Sequence, residues 1–156
     1  MRSRGFTLIE LLVVMLLIVI VLGVAGLSLY GAEARTLREE TERLALLARA
    51  AAEDAVLQGR VLVLAFTPEG YQFMTVNDQG ELAPVTQDDV LRPRSLPPGV
   101  TVRAIEIEGV RETDARVVFF PSGEMPQFAV TLAHGEMALR IEGQANGEIR
   151  TVTPPS

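Results

Sequence analysis

Few side chains in this sequence could do chemistry, and they stand far apart. The chain has one histidine, His134, and no cysteine, so there is no thiolate nucleophile, no zinc-thiolate site, no disulfide and no multi-histidine metal centre. His134 precedes Gly135 and reads as a turn residue, because the chain offers no activated nucleophile for it to serve as a base. Asp88-Asp89, in a proline-rich stretch, and Asp78 near Glu81 carry the charge a calcium ion needs, but their spacing matches no calcium loop, so they read as solvated turn acids. Glu106 and Glu108 share one face of a strand by parity, where two carboxylates defend an exposed edge more readily than they form an acid-base pair. No phosphate loop and no basic aromatic stripe is present. The expectation is therefore no catalytic residue, no metal, no cofactor and no small-molecule substrate. One carboxylate remains unusual. Glu10 sits inside a long apolar run.

That run divides the chain. Of the 25 residues from Phe6 to Tyr30, 20 are apolar, in a protein of 156 residues, a length that allows one ordinary domain and little more. As a helix the run is about 37 Å long against a hydrocarbon core of about 30 Å, so it is long enough to span a bilayer. Arg2 and Arg4 precede it, which keeps the amino terminus in the cytoplasm and places the remainder outside, in a bacterium the periplasm. After Tyr30 there are twelve arginines, no lysine and nineteen acids, net −7, the wrong sign for a nucleic-acid surface. A cleaved secretory signal ending near Ala32-Glu33-Ala34 would need a shorter apolar region without Glu10. A plain signal anchor explains the length but not the acid, which costs about 2.5–3.5 kcal/mol at the centre of a spanning helix and less near an interface.

Gly5-Phe6-Thr7-Leu8-Ile9-Glu10-Leu11-Leu12-Val13-Val14 resembles the leader and cleavage signature of type IV pilins and type II secretion pseudopilins. The resemblance implies cutting by a prepilin peptidase between Gly5 and Phe6, methylation of the new amino terminus on Phe6, and an assembly role for Glu10. The ammonium on Phe6 would lie near the depth of Glu10, and the family pairs that glutamate with the amino terminus of a neighbouring subunit. Side chains on a helix lean toward its amino end, so Glu10 could also reach Phe6 of its own chain. Many pilins carry a proline about twenty residues into the mature helix. Here only Gly23 and Gly26 weaken the helix, by about 1 kcal/mol each relative to alanine, and they serve either to loosen it or to let helices pack closely in lipid.

Beyond Tyr30 the pattern becomes amphipathic. Leu37, Leu44, Leu47, Ala48, Ala51 and Ala55 recur at helical spacing, and Arg38, Glu39, Glu42, Arg43, Arg49, Glu53 and Asp54 read mostly as a solvated face with weak ion pairs. The helix ends near Gly59. With no proline between the two parts, this makes one helix of about 50 residues. Strands follow: Val61 to Phe66, Tyr71 to Val76, a turn at Asn77 to Gly80 and a short return from Glu81. Pro84 to Gly99 reads as a long loop. Val100 and Val102 alternate in one phase and Ile105 and Ile107 in the other, which predicts a bulge near Arg103 or Ala104. Val117 to Phe120, then Phe128, Val130 and Leu132 with Gln127 and Thr131 opposed, then Met137, Leu139 and Ile141, and lastly Glu148 to Val152 bring the count to seven or eight strands.

Phe119-Phe120-Pro121-Ser122-Gly123-Glu124, Phe128 to Leu132 and Gly143 to Gly147 are similar to the carboxy-terminal domain of H-type minor pseudopilins of type II secretion, and of the related FimT minor pilins. Leu96-Pro97-Pro98-Gly99-Val100 belongs to the same likeness. The expected fold is α+β and type IV pilin-like, a long amino-terminal helix, membrane-spanning then amphipathic, packed on antiparallel sheet. Its parts are a leader at 1–5, a transmembrane and filament-core helix at 6–30, an amphipathic helix at 31–58 and a periplasmic β-rich domain at 59–156. The resemblance implies a non-enzymatic subunit near the tip of the pseudopilus. Its implied partners are the prepilin peptidase, the major pseudopilin, the other minor pseudopilins and the inner membrane, with no nucleic acid. A FimT-like minor pilin of a type IV pilus is the alternative.

Overall fold

A computed structural model describes residues 8–77, 79–86, 88–114 and 116–153, with the side chains of 21–30 outside the description. Helix α1 (Leu8–Gln58) has 51 residues, and the boundary between two compact units falls within it, between Arg35 and Thr36. In the second unit the α1 residues Leu37, Leu44, Leu47, Ala48, Ala51 and Ala55 are all buried, as their three- and four-residue spacing predicts. Gly59, at φ 63°, follows the last helical residue, and Arg60 N–H returns to the Ala55 carbonyl at 3.1 Å, closing the helix with a left-handed residue.

Among the described residues, ten strands follow in two antiparallel sheets. The first sheet contains β1 (Leu62–Thr67), β2 (Gly70–Val76), β3 (Leu82–Pro84), β4 (Arg94–Ser95) and β7 (Arg116–Phe119), in the order β3-β2-β1-β7 with β4 also on β2. The second contains β5 (Val100–Ile107), β6 (Val110–Arg111), β8 (Phe128–His134), β9 (Met137–Gly143) and β10 (Ile149–Val152), in the order β10-β9-β8-β5-β6. Alternation directs Leu62, Leu64, Tyr71, Phe73, Val117 and Phe119 of the first sheet into one core with α1, shared with Val130, Leu132 and Ile141 of the second. Phe119 meets Phe128 edge-on, with ring centroids 6.4 Å apart, and joins the sheets through that core.

The expected bulge lies at Arg103, between the pairs Val102–Leu132 and Ala104–Thr131. Two short strands depart from the expectation. The stretch from Pro84 to Gly99 is not wholly irregular, since β4 pairs with β2 at Gly70–Ser95 and Tyr71–Arg94, while β6 pairs with the end of β5. Thr131, expected on an open face, is buried. Strand β8 lies between β5 and β9, and it is buried on both faces from Phe128 to Ala133. Phe128 pairs with Gly143 and its ring occupies the place of the missing side chain, because a Cβ there would stand 2.0 Å from the ring.

Candidate assembly surface

From Leu8 to Ile20 the first unit presents a helix with no apolar side chain buried. The twelve apolar side chains from Leu8 to Ile20 are all exposed, between 43% and 82%. Successive helical residues turn through about 100°, so they cover every side of the helix, and such a helix is stable only when something else surrounds it. Glu10 lies in the first turn of α1, where a carboxylate is favoured by the unpaired amide groups of the helix end. Gly5 and Phe6 lie outside the described residues. Among the described residues, no helix is long and apolar enough to cross a membrane.

In the second unit the polar side chains bind α1 to the sheets. Glu40 and Tyr71 are each 1% exposed. Tyr71 donates its hydroxyl hydrogen to Glu40 Oε1 at 2.8 Å, and Arg43 Nη1 donates to Glu40 Oε2 at 2.5 Å. Burial first, and then the Glu40 carboxylate, push the Tyr71 hydroxyl well above its ordinary range. The Thr41 hydroxyl, also buried, donates to the Leu37 carbonyl at 2.7 Å. Further along α1, the Arg49 guanidinium donates to the Ile149 carbonyl on β10, from Nε at 2.9 Å and also from Nη2. Glu40 does not belong to the solvated face expected for the charges of α1. It lies one turn from both Leu37 and Leu44, on the inward stripe, and a partner makes its burial tolerable. Arg60, just beyond the helix end, pairs with Asp54 at 2.6 Å.

The other candidate acids have structural partners. Glu106 and Glu108 do not share a strand face. Strand β5 ends at Ile107 and Glu108 sits in a turn at φ 50°, accepting the Gln127 N–H at 2.7 Å. Glu106 receives two hydrogen bonds from Arg140, at 3.0 and 2.7 Å, and these hold its carboxyl below the ordinary range. Because β8 lies between β5 and β9, Arg140 must cross it, and the side chain there, paired with both Glu106 and Glu142, is the small Ala129. Glu142 and Arg150 extend the ladder to β10, and its aliphatic stems cover the outer face of β8. Asp88 Oδ1 accepts the N–H groups of Val90 and Leu91 at 2.7 and 3.1 Å, an ordinary aspartate turn. Asp78 lies outside the described residues, and among the described residues no three His, Asp or Glu side chains are grouped to hold a metal. His134 ends strand β8 with its ring against Gly99, where a Cβ would come within 2.4 Å of it.

Residues 40–147 match the family model of type II transport protein GspH, and residues 1–26 match the prokaryotic N-terminal methylation motif. The type II secretion system protein H of Aeromonas hydrophila is 31% identical over 158 residues, covering 89% of this chain and 85% of that protein. The protein of the same description from Pseudomonas aeruginosa PAO1 is 40% identical over 88 residues, covering 55% of this chain and about half, 51%, of its own length. Among solved structures, the minor pseudopilin EpsH of Vibrio cholerae superposes with a TM-score of 0.65 at 15% identity, over 78% of this chain and 96% of that one. The solution structure of Escherichia coli GspH gives 0.61 at 14% identity, over 78% and 90%.

Proposed function

The chain belongs to the family of type II transport protein GspH and is a minor pseudopilin of the type II secretion system, and from that membership we propose how it is processed and built into the pseudopilus. Prepilin peptidase removes residues 1–5 by cutting between Gly5 and Phe6, and the amino group of Phe6 is methylated. The match of residues 1–26 to the methylation motif supports this reading. Residues 6–30 then form a single-pass anchor in the inner membrane with a cytoplasmic amino terminus. Residues 31–58 form the amphipathic helix, and residues 59–156 the periplasmic domain that contacts other subunits.

The observation that carries the reading is the exposure of every apolar side chain from Leu8 to Ile20. Burying one such side chain away from water is worth about 1.5–3 kcal/mol, so the segment rests first in lipid. Moving it from lipid into a filament gains little from hydrophobicity, since the lipid tails are equally apolar. The gain comes from close packing and from Glu10, whose cost in an apolar setting falls when it meets an ammonium on Phe6, of its own chain or of a neighbour. The neighbours are the major pseudopilin and other minor pseudopilins, with this subunit near the tip. The subunit works by occupying a place in the filament and catalyses nothing. Deleting its gene tests the role. Loss of exoprotein secretion with normal twitching and transformation supports it, and the reverse pattern refutes it in favour of a FimT-like minor pilin of a type IV pilus.

A further inference from the structure

The foot of α1 carries an apolar notch that the second unit leaves open. It has a volume of about 480 Å³ and is lined by Ala52, Glu53, Val56, Leu57, Gly123 and Gly147. Leu57 is 81% exposed and Val56 49%, so the end of the helix offers water two large apolar side chains that its own fold does not use. The opposite walls are the tips of two turns. Gly123 and Gly147 have φ of 83° and 88°, conformations that select glycine and leave bare backbone where side chains would otherwise fill the space. A Cβ on Gly147 would meet nothing within 4 Å, and one on Gly123 would only touch Val56 at 3.7 Å.

Glu53 is the charged residue that lines the notch. It is exposed, with no ion-pair partner among the described residues. The residue after each glycine is an exposed acid, Glu124 and Glu148, and of these Glu124 only receives the Ser122 hydroxyl at 3.3 Å. No arginine lines the notch. Arg60, near the helix end, is paired with Asp54. The Glu53 carboxylate beside an apolar floor repels acidic surfaces and favours a segment that brings its own cation.

We infer that this notch docks a neighbouring pseudopilin through a large apolar side chain flanked by an arginine or lysine, with the apolar side chain between Leu57 and the two glycine turns and the cation on the rim at Glu53. The inference rests on the pseudopilin reading given above. The apolar contact supplies affinity, and the Glu53 carboxylate selects which subunit fits and in which orientation.

The chain contains no cysteine, so one introduced at the notch reports without background. Full-length Leu57→Cys is expressed in the native host. The major pseudopilin and each other minor pseudopilin carry single cysteines beside exposed apolar residues that neighbour an arginine or lysine. Oxidation followed by immunoblotting reads the disulfide-linked heterodimer, which forms only when the two backbones come within about 7 Å. The expected result is a heterodimer with one pseudopilin, its yield falling roughly tenfold when Glu53→Arg is added and less with Glu53→Gln, and recovering when the partner's cation is changed to glutamate. No heterodimer, a yield indifferent to charge at residue 53, or a homodimer alone overturns the inference. If secretion fails on gene deletion while no heterodimer forms, the notch is refuted and the pseudopilin role stands. If deletion leaves secretion intact, the role itself fails.

Discussion

Removing the Tyr71 hydroxyl tests whether α1 is fixed to the first sheet by a buried polar bond or by apolar contact alone. Tyr71→Phe deletes the donor that Glu40 Oε1 accepts at 2.8 Å. The carboxylate, 1% exposed, then keeps only Arg43, whose own side chain is half in water. A hydrogen bond to a charged group contributes about 1.5–3 kcal/mol, and a buried group left without its partner costs a similar amount. The single change is therefore expected to destabilise the unit by about 2 kcal/mol, roughly 8 °C in melting temperature for a domain of this size. Glu40→Leu is expected to cost about as much, because it leaves the phenol without an acceptor. The double variant removes both polar groups together and fills the space with apolar atoms, so it should lose far less than the sum, with a coupling of about 2 kcal/mol. Thermal melts of the four full-length proteins in detergent, followed by circular dichroism, measure the cycle. Single losses that add in the double variant to within about 0.5 kcal/mol would show that Tyr71 and Glu40 are not coupled and that apolar contact alone holds α1.

The same bond predicts behaviour in alkali. Tyr71 has a folded-state pKa raised above its unfolded value of 10.0, so the stability it contributes is complete below pH 10 and is lost as pH rises beyond it. Its phenolate absorbance should appear only together with unfolding, and appearance in the folded protein would contradict the burial. Glu106 has the opposite sign. Its folded pKa lies below the ordinary 4.5, so its contribution is present above that value and is lost as pH falls through the depressed one. Denaturant melts between pH 3 and 7 should show a shallower acid loss in Glu106→Gln than in the parent. Ala129→Leu should block Arg140 from Glu106 and cost about 1–3 kcal/mol by overpacking, while Ala129→Ser should cost less than about 1 kcal/mol. Gly143→Ala should cost about 1–3 kcal/mol because its Cβ meets the Phe128 ring. Both comparisons are read in the same melts.

Much of the fold is legible because it is written in local patterns. The apolar run, the stripe from Leu37 to Ala55 and the phase shift at Arg103 each need only a few neighbouring residues to be recognised. The α+β class with one long helix and antiparallel strands follows from their order. What escapes such reading depends on residues distant in sequence. Glu40 looks like its solvated neighbours Glu39 and Glu42, and its acceptor role is decided by Tyr71, 31 residues later. One local signal was available, since Glu40 stands on the inward stripe between Leu37 and Leu44. Glu106 reads as an edge guard until Arg140, 34 residues on, reaches it across Ala129. Strands β4 and β6 are two residues long, too short for any alternation to mark them. The apolar notch has walls from three separate segments, and no single stretch announces it.

The pseudopilin role depends most on the fate of the amino terminus. Intact-mass and peptide mass spectrometry of the full-length protein, extracted from the membranes of a host with active prepilin peptidase, tests it directly. The expected chain begins at Phe6 and carries one added methyl group on its α-amino nitrogen. A chain that keeps residues 1–5, or one cut instead near Ala34, would contradict it.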